Sequence, residues 1–295
     1  MMSAMKNPPT PSWLPPNAPQ RSALHQELHA RPSARIRLPA LVLYVAVLNQ
    51  GVTREAELAH LRRLPGQQAL SLADLDSNFL RLRLQIGGEG HTLKWERHNE
   101  FSRYSLVQTL PESAGLGAAE PELLGEPALP RDWLQQIPGQ TIVALLLATV
   151  EQDLSDRPAL LAQAQTWFGP CPLVASVLGS GHSMVVTDFQ LQPSGFERIL
   201  VITDRASTGM RNGRIAQRLL ELETYRVMAL LGLPVAKALA PMLADCEQGL
   251  ARVTAALESG HGAQAEQLDA LINLAAKVEH ATAAHGYRFS ATEAY

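Results

Sequence analysis

The spacing of apolar and polar residues divides the chain into a strand-rich part and a helix-rich part. Residues 41–48 (LVLYVAVL) and 141–150 (TIVALLLATV) are continuous apolar runs, which is typical of strands buried on both faces. Residues 78–86 alternate between apolar and polar side chains, and 91–97 and 101–107 follow after short turns. This pattern predicts a three-stranded antiparallel meander.

Two helices and three further strands are predicted around these runs. Thr53 can cap a helical pattern within 53–64, and Ser155 or Asp156 can cap a second one that ends at Gly169. The segment 173–191 has the pattern of a hairpin around GSGH, and 195–204 has that of one more strand. The Pro-, Gly- and Glu-rich segment 111–130 predicts a long surface loop.

From about residue 207 the apolar spacing becomes helical. Pro234 interrupts the first helix, and SGHG separates two Ala- and Leu-rich helices over 235–258 and 265–285. We therefore predict an α+β fold, a mainly antiparallel sheet with flanking helices followed by a C-terminal α-helical hairpin. The predicted units are a Pro-rich arm (1–20), an α+β sheet domain (21–206) and a coiled-coil-like helical region (207–295).

Composition excludes several classes of protein. Of the 295 residues 46% are hydrophobic and 18% are charged, so the chain is not wholly disordered. The net charge of −3 gives no overall attraction to nucleic acid, and acidic residues directly follow the basic run Arg211, Arg214 and Arg218. We predict no nucleic-acid partner. Two cysteines and no secretory signal predict a reducing, cytoplasmic location.

No run of about 20 apolar residues occurs, so no membrane-spanning segment is predicted within the chain. The apolar stretch VMALLGLPVA (227–236) contains Gly232 and Pro234 and is followed by Lys237. Phosphate-loop, dinucleotide, zinc and hydrolase signatures are absent from the sequence. We therefore predict no cofactor and no metal ligands.

The richest polar cluster in the sequence is LKWERHNEF (93–101). On a strand, Glu96 and His98 share one face, while Arg97 lies on the other. A Glu/His pair suits general acid–base catalysis, whereas alternating charges on a strand more often form cross-strand ion pairs. His29 and Arg31 in ELHARP suit an anion or carbonyl site, or else a local structural clamp.

Several long phrases occur in a familiar order. They are ELHARP (27–32), LKWERHNEFSRY (93–104), LPRDWLQQIPGQ (129–140), VVTDFQLQPSGFERILV (185–201), QRLLELETYRVMALLGLPVAKAL (217–239) and YRFSATEAY (287–295). From about residue 21 onward the chain resembles the bacterial domain-of-unknown-function family 3422, whose members are described as predicted membrane-anchored proteins. The resemblance implies no established activity, substrate or catalytic residue.

The resemblance also sets an expectation for the C-terminus. Family members continue past YRFSA with coiled-coil-like helix and then a hydrophobic segment, whereas this sequence stops at Tyr295. It therefore resembles a member that lacks the anchor. Membrane contact is expected only through a segment outside this chain, at the cytoplasmic face of the inner membrane.

Two functional hypotheses follow. The preferred one is a non-catalytic module for assembly or partner binding, which forms homo-oligomers through the apolar stripes of its C-terminal helices. The alternative is a hydrolase-like enzyme of unrecognised type. Its site would require five side chains to converge: His29, Arg31, Glu96, Arg97 and His98.

Overall fold

A single eight-stranded sheet forms the centre of the protein. The computed structural model describes residues 18–21, 33–111, 114, 116, 127–260 and 263–295. The strands are β1 (Ala40–Leu48), β2 (Phe79–Ile86), β3 (Glu89–Arg97), β4 (Phe101–Thr109), β5 (Gln140–Glu151), β6 (Val174–Leu178), β7 (Ser183–Thr187) and β8 (Glu197–Thr203). Their order across the sheet is β2-β3-β4-β1-β5-β8-β7-β6. Neighbouring strands are antiparallel except β5 and β8, which run parallel.

Helices flank the sheet and then continue to the C-terminus. They are α1 (Arg54–Leu61), α2 (Arg131–Gln135), α3 (Arg157–Phe168), α4 (Gly209–Leu230), α5 (Gly232–Glu258) and α6 (Gln264–Ala294), with short 3₁₀ turns at Leu72–Leu75 and Gly179–Gly181. The N-caps are the predicted ones: Thr53 accepts from Ala56 N, and Asp156 accepts from Ala159 N. The predicted α+β class is confirmed.

Two apolar cores lie on opposite faces of the sheet. The larger packs α1, α2 and α3 against residues such as Trp95, Tyr104 and Leu146. The smaller packs α4 against residues such as Tyr44 and Leu145. Both central strands therefore face apolar side chains above and below, which explains their uninterrupted apolar sequences.

Helix α4 closes the second core. Its buried residues Ala216, Leu220 and Met228 face the sheet. A Cβ atom on Gly213 would lie 1.6 Å from the carbonyl oxygen of Ala34, so the chain before β1 crosses α4 in direct backbone contact. The strand-to-helix change predicted near residue 207 is observed at Gly209, and the first long helix belongs to the sheet's packing.

Helices α5 and α6 form the predicted antiparallel hairpin, and glycines permit their close approach. A Cβ on Gly249 would lie 3.0 Å from Leu274, and one on Gly232 would lie 2.7 Å from the Thr292 hydroxyl oxygen. The helix α6 is longer than predicted, because 286–294 continue as helix. The Arg288 guanidinium fixes the end of α6 to the β3–β4 turn with two hydrogen bonds to Glu100, of 2.8 and 3.1 Å.

The continuous helical stretch Gly209–Glu258 is long and apolar enough to cross a membrane by length and composition. Its most apolar window has a mean hydropathy of 1.8, with 11% of the window buried. The sequence had predicted no such segment, because Gly232 and Pro234 interrupt the apolar run. They fall at the α4–α5 junction and in the first turn of α5, where the helix accommodates them. A helix that packs on other helices can have the same length and apolar composition as a helix that spans a membrane.

Two predicted features fall mainly outside the described residues. They are the Pro-rich arm (1–20) and the loop (111–130). The division into three units stays a prediction. One feature was not anticipated: the parallel β5–β8 pair, which forms because α3 and the β6–β7 hairpin carry the chain around before β8 returns beside β5.

Candidate functional site

Half of one sheet face is left uncovered by α4. The helix packs over β1 and β5, so the same face of β2, β3 and β4 forms the floor of an opening. We call this opening the sheet-face cleft. It is lined mainly by Arg35, Arg37, Tyr44, Arg81, Arg83, Thr92, Lys94, Glu96 and Arg103. Strand alternation turns the lining side chains of β1 to β4 to this face, while Leu82, Leu93 and Trp95 point into the larger core.

Strand register brings the polar side chains into rows. Arg81 pairs with Lys94, Lys94 with Ser105, and Ser105 with Tyr44 across four adjacent strands. In the next row Glu96 is opposite Arg103. Directly opposed residues lie about 5 Å apart, so a cross-strand network forms without any loop.

Two adjacent cavities make up the cleft. The outer one has a volume of about 640 Å³, and the inner one, beneath it, of about 50 Å³. They share Ala34, Arg81, Thr92 and Val107 in their walls. The outer volume is in the range of small-molecule sites, which is roughly 300–1,000 Å³.

Glu96 is the centre of the inner cavity's polar network. Its Oε2 lies 2.6 Å from Arg103 Nε and 3.2 Å from Lys94 Nζ. Arg103 also reaches Glu221 of α4 at 3.5 Å. Only 1% of the Glu96 side chain is exposed, and its Oε1 has no hydrogen-bond partner within the described part of the chain. An unpaired oxygen of this kind costs free energy unless a donor reaches it.

Burial and charge oppose each other in this network. Burial favours the neutral form of Glu96, but the adjacent Arg103 and Lys94 outweigh it and lower the pKa of the carboxyl. Burial lowers the pKa of Lys94, and Glu96 offsets part of that shift. Burial also raises the pKa of Tyr44 to about 12, against the opposing effect of Arg103. The phenol is neutral near pH 7 and donates to Thr224 Oγ1 at 2.6 Å, because the Thr224 hydroxyl donates to Leu220 O.

Arginines surround the outer cavity. Arg35 and Arg37 come from the segment before β1, while Arg81 and Arg83 come from β2. Among the described residues, no carboxylate lines this cavity, and none lies within salt-bridge distance of Arg35, Arg37 or Arg83. Arginine forks pair with carboxylate and phosphate groups, so the cavity suits an anion.

The predicted candidate residues are placed in different parts of the molecule. Glu96 lies in the cleft, and the ring of His98 stacks on Phe101 with centroids 4.4 Å apart. Arg97 lies on the opposite sheet face, where it pairs with Glu57 and donates to Val52 O. Glu96 and Arg97 therefore do not converge. His29 and Arg31 lie outside the described residues.

Other polar groups have structural partners. Arg198 donates to the carbonyls of Trp167 and Phe168 at the end of α3 and pairs with Asp188 at 3.2 Å. Over the residues that the structure describes, no group of three or more His, Cys, Asp or Glu side chains could hold a metal ion. Both Cys171 and Cys246 are free thiols.

The arginines of the cleft were missed in the sequence. The alternation in FLRLRLQI does place Arg81 and Arg83 on one strand face. However, Arg35 and Arg37 precede β1 in an irregular segment, and no periodicity indicates that they lie above β2. Their convergence depends on the contact between Ala34 and α4 and on the strand order.

A second candidate surface is apolar and lies on the helical hairpin. Leu243, Leu250 and Leu257 of α5 recur every seven residues and are exposed by 45–56%. On α6, exposed apolar side chains occur at helical spacing at Leu268, Leu271, Ile272 and Val278. The buried Cys246 and Val253 lie three or four residues from these leucines, on the same side of α5, so the leucine row borders the buried face of the helix. We call the seven exposed residues of both helices the hairpin stripe.

Comparison with known proteins identifies a family and no close relative. A family model described as a protein of unknown function (DUF3422) matches residues 16–295. No curated protein and no solved structure matches the chain.

Proposed function

The chain belongs to the DUF3422 family of proteins of unknown function, and we propose that it is a non-catalytic assembly module whose copies associate through the hairpin stripe. The observation that supports this proposal is that leucines recur at every seventh position of α5 and are exposed. A row of this period is the pattern by which helices pack side by side in coiled coils and bundles. Contiguous exposed apolar patches on a protein surface commonly mark interaction sites.

The hairpin itself favours a second copy of the chain as the partner. Both of its helices present apolar residues outward, so two hairpins related by a twofold axis can cover each other. The result would be a four-helix bundle. The close contacts at Gly232 and Gly249 would remain within each hairpin. Self-pairing is the simplest way to remove the hairpin stripe from water.

Charge is consistent with self-association. Residues 232–295 carry seven acidic and four basic side chains, none of which forms a large single-sign block. Copies would repel each other weakly, and the small negative excess does not attract an anionic membrane surface. An anionic bilayer is therefore a less favourable partner than a second hairpin.

The test is light scattering coupled to size-exclusion chromatography over about two orders of magnitude in protein concentration. We expect the mass of the wild type to rise from one copy toward two or more. The variant Leu250→Glu/Leu257→Glu removes two leucines from the interface, each of which contributes roughly 1.5–3 kcal/mol when buried. We expect it to stay monomeric at concentrations where the wild type associates.

The matched control is Leu191→Glu. Leu191 is 71% exposed in the connection between β7 and β8, so it receives the same substitution away from the hairpin. Circular dichroism checks that all variants retain helix. A wild type that is monomeric at every concentration contradicts the proposal, as does equal weakening by Leu191→Glu. Binding of the monomer to neutral lipid vesicles would instead indicate a membrane as the partner of the stripe.

We also propose a location in the cytoplasm or at the cytoplasmic face of the inner membrane. The two unpaired thiols support a reducing compartment. Fractionation of bacterial cells expressing the protein tests this location. Recovery from the periplasm would contradict it.

A further inference from the structure

The sheet-face cleft concentrates positive charge in a molecule whose net charge is negative. Four arginines line its outer cavity, and three of them, Arg35, Arg37 and Arg83, have no acidic neighbour among the described residues. Like charges held together repel one another, and an anion between them removes this repulsion. The outer cavity therefore has the chemistry of an anion site.

A solvated edge strand is the alternative explanation of such charges. It accounts for Arg81 and Arg83, because charged residues on the edge strand β2 hinder pairing with other sheets. It does not account for Arg35 and Arg37, which lie outside the sheet and line the same cavity. Two independent chain segments thus bring arginines to the lining of one cavity of about 640 Å³.

The inner cavity adds a second requirement for the ligand, which is a hydrogen-bond donor. The buried Glu96 carboxylate is held ionised by Arg103 and Lys94, and its Oε1 has no donor within the residues described. Both cavities share walls, so a ligand seated among the arginines can extend toward this oxygen. A hydroxyl or amino group at that end would supply the missing hydrogen bond.

We propose that the sheet-face cleft binds a phosphate monoester that also carries hydroxyl or amino hydrogen-bond donors. The phosphate is bound by Arg35, Arg37 and Arg83, with Arg81 beside them. The donor end is oriented by Glu96 in the inner cavity. This binding role goes beyond the proposed self-association and does not depend on it, because the cleft and the hairpin stripe share no residue.

The test is isothermal titration calorimetry at constant ionic strength with two probes, AMP and inorganic phosphate. AMP carries a phosphate, hydroxyls and an amino group, whereas inorganic phosphate cannot span the cleft. We expect saturable binding of AMP at one site per chain, at least about 10-fold tighter than binding of phosphate. We expect Arg35→Ala/Arg37→Ala to weaken AMP binding by at least about 10-fold.

The control variant is Arg205→Ala. Arg205 is exposed by 88% and lies beyond β8, so it tests the effect of removing positive charge alone. Glu96→Gln tests the donor end: AMP binding should weaken while phosphate binding is retained, and the melting temperature shows whether the variant folds. The double arginine variant alters exposed side chains and keeps the test valid if Glu96→Gln does not fold.

A lipid headgroup is the second source of the same phosphate chemistry. Co-sedimentation with phosphatidic acid vesicles, compared with phosphatidylcholine vesicles, distinguishes it from a soluble ligand. Binding to phosphatidic acid that is lost in Arg35→Ala/Arg37→Ala would assign the site to a lipid phosphate. If neither the soluble probes nor the vesicles bind, or if Arg205→Ala weakens binding equally, the proposal is overturned.

Discussion

His60 lies in the larger core with 4% of its surface exposed. Its ring stacks on Trp133 at 4.2 Å, and burial, together with the nearby charge of Arg63, lowers its pKa to about 4. In the unfolded chain, His60 has the ordinary pKa of about 6.5. As the pH falls, it is therefore protonated in the unfolded chain before it is protonated in the folded protein. The stability that the neutral ring provides is therefore present above pH 6.5 and is lost progressively between pH 6.5 and 4.

We expect this loss to reach about 2 kcal/mol, allowing for partial screening by water. The measurement is urea denaturation near neutral pH and near pH 4, for the wild type and for His60→Phe. The variant keeps an aromatic ring against Trp133 and cannot be protonated, so its stability should fall less. Both proteins carry the same carboxylates, so the difference between them reports on His60. An identical pH dependence would show that His60 does not contribute.

Arg97 illustrates how a candidate catalytic side chain can have a structural role. It pairs with Glu57, whose side chain is fully buried, and donates to Val52 O at 2.8 Å. Removing the guanidinium in Arg97→Met leaves a buried carboxylate without its cation. We expect a loss of about 3–5 kcal/mol in the free energy of unfolding, measured by chemical denaturation.

The double variant Glu57→Gln/Arg97→Met is the control for this pair. It removes both charges, so it should recover much of the stability lost in the single variant. If the double variant is as unstable as Arg97→Met, the loss comes from packing of the arginine side chain rather than from the buried charge.

At the scale of elements, Gly213 determines how closely α4 approaches the chain before β1. An added Cβ would meet the backbone oxygen of Ala34, and a backbone atom cannot rotate away as a side chain can. We expect Gly213→Ala to lower the free energy of unfolding by more than about 2 kcal/mol. Because Arg35 and Arg37 follow Ala34, we also expect weaker AMP binding.

Gly286→Ala in α6 is the matched control for that substitution. Gly286 is also helical, but no atom lies within 4 Å of the position that an added Cβ would occupy. There, alanine should stabilise the helix by up to about 1 kcal/mol, through its higher helix propensity. Denaturation measurements that show the same effect at both positions would contradict the close contact at Gly213.

Elements with a local periodic signal could be predicted from the sequence. The meander β2–β4 was predicted from alternation, and the hairpin α5–α6 from helical spacing with SGHG between. The parallel pairing of β5 with β8 and the course of the segment before β1 depend on contacts between residues far apart in the chain. The cleft is built from those long-range contacts, and of the predicted candidates that the structure describes, Glu96, Arg97 and His98, only Glu96 is among its lining residues.

At the scale of the whole molecule, the attachment of α6 to the sheet sets the direction in which the hairpin stripe faces. Arg288 binds both carboxylate oxygens of Glu100, and Tyr295 stacks on Tyr225 of α4 at 5.9 Å. Arg288→Ala removes a bidentate ion pair that is largely shielded from water, worth about 1–2 kcal/mol. The end of α6 should then open more often, while the sheet remains folded.

Hydrogen exchange measured by mass spectrometry tests this attachment. We expect amides in 284–295 to exchange roughly 10-fold faster in Arg288→Ala, with no change in β1 or β5. Arg252→Ala is the control, because Arg252 lies exposed on α5 and donates a hydrogen bond to Gln248 O of its own helix. Unchanged exchange in 284–295 would show that aromatic packing alone holds the helix. If exchange rises and self-association weakens together, the fixed orientation of the hairpin is a condition for assembly.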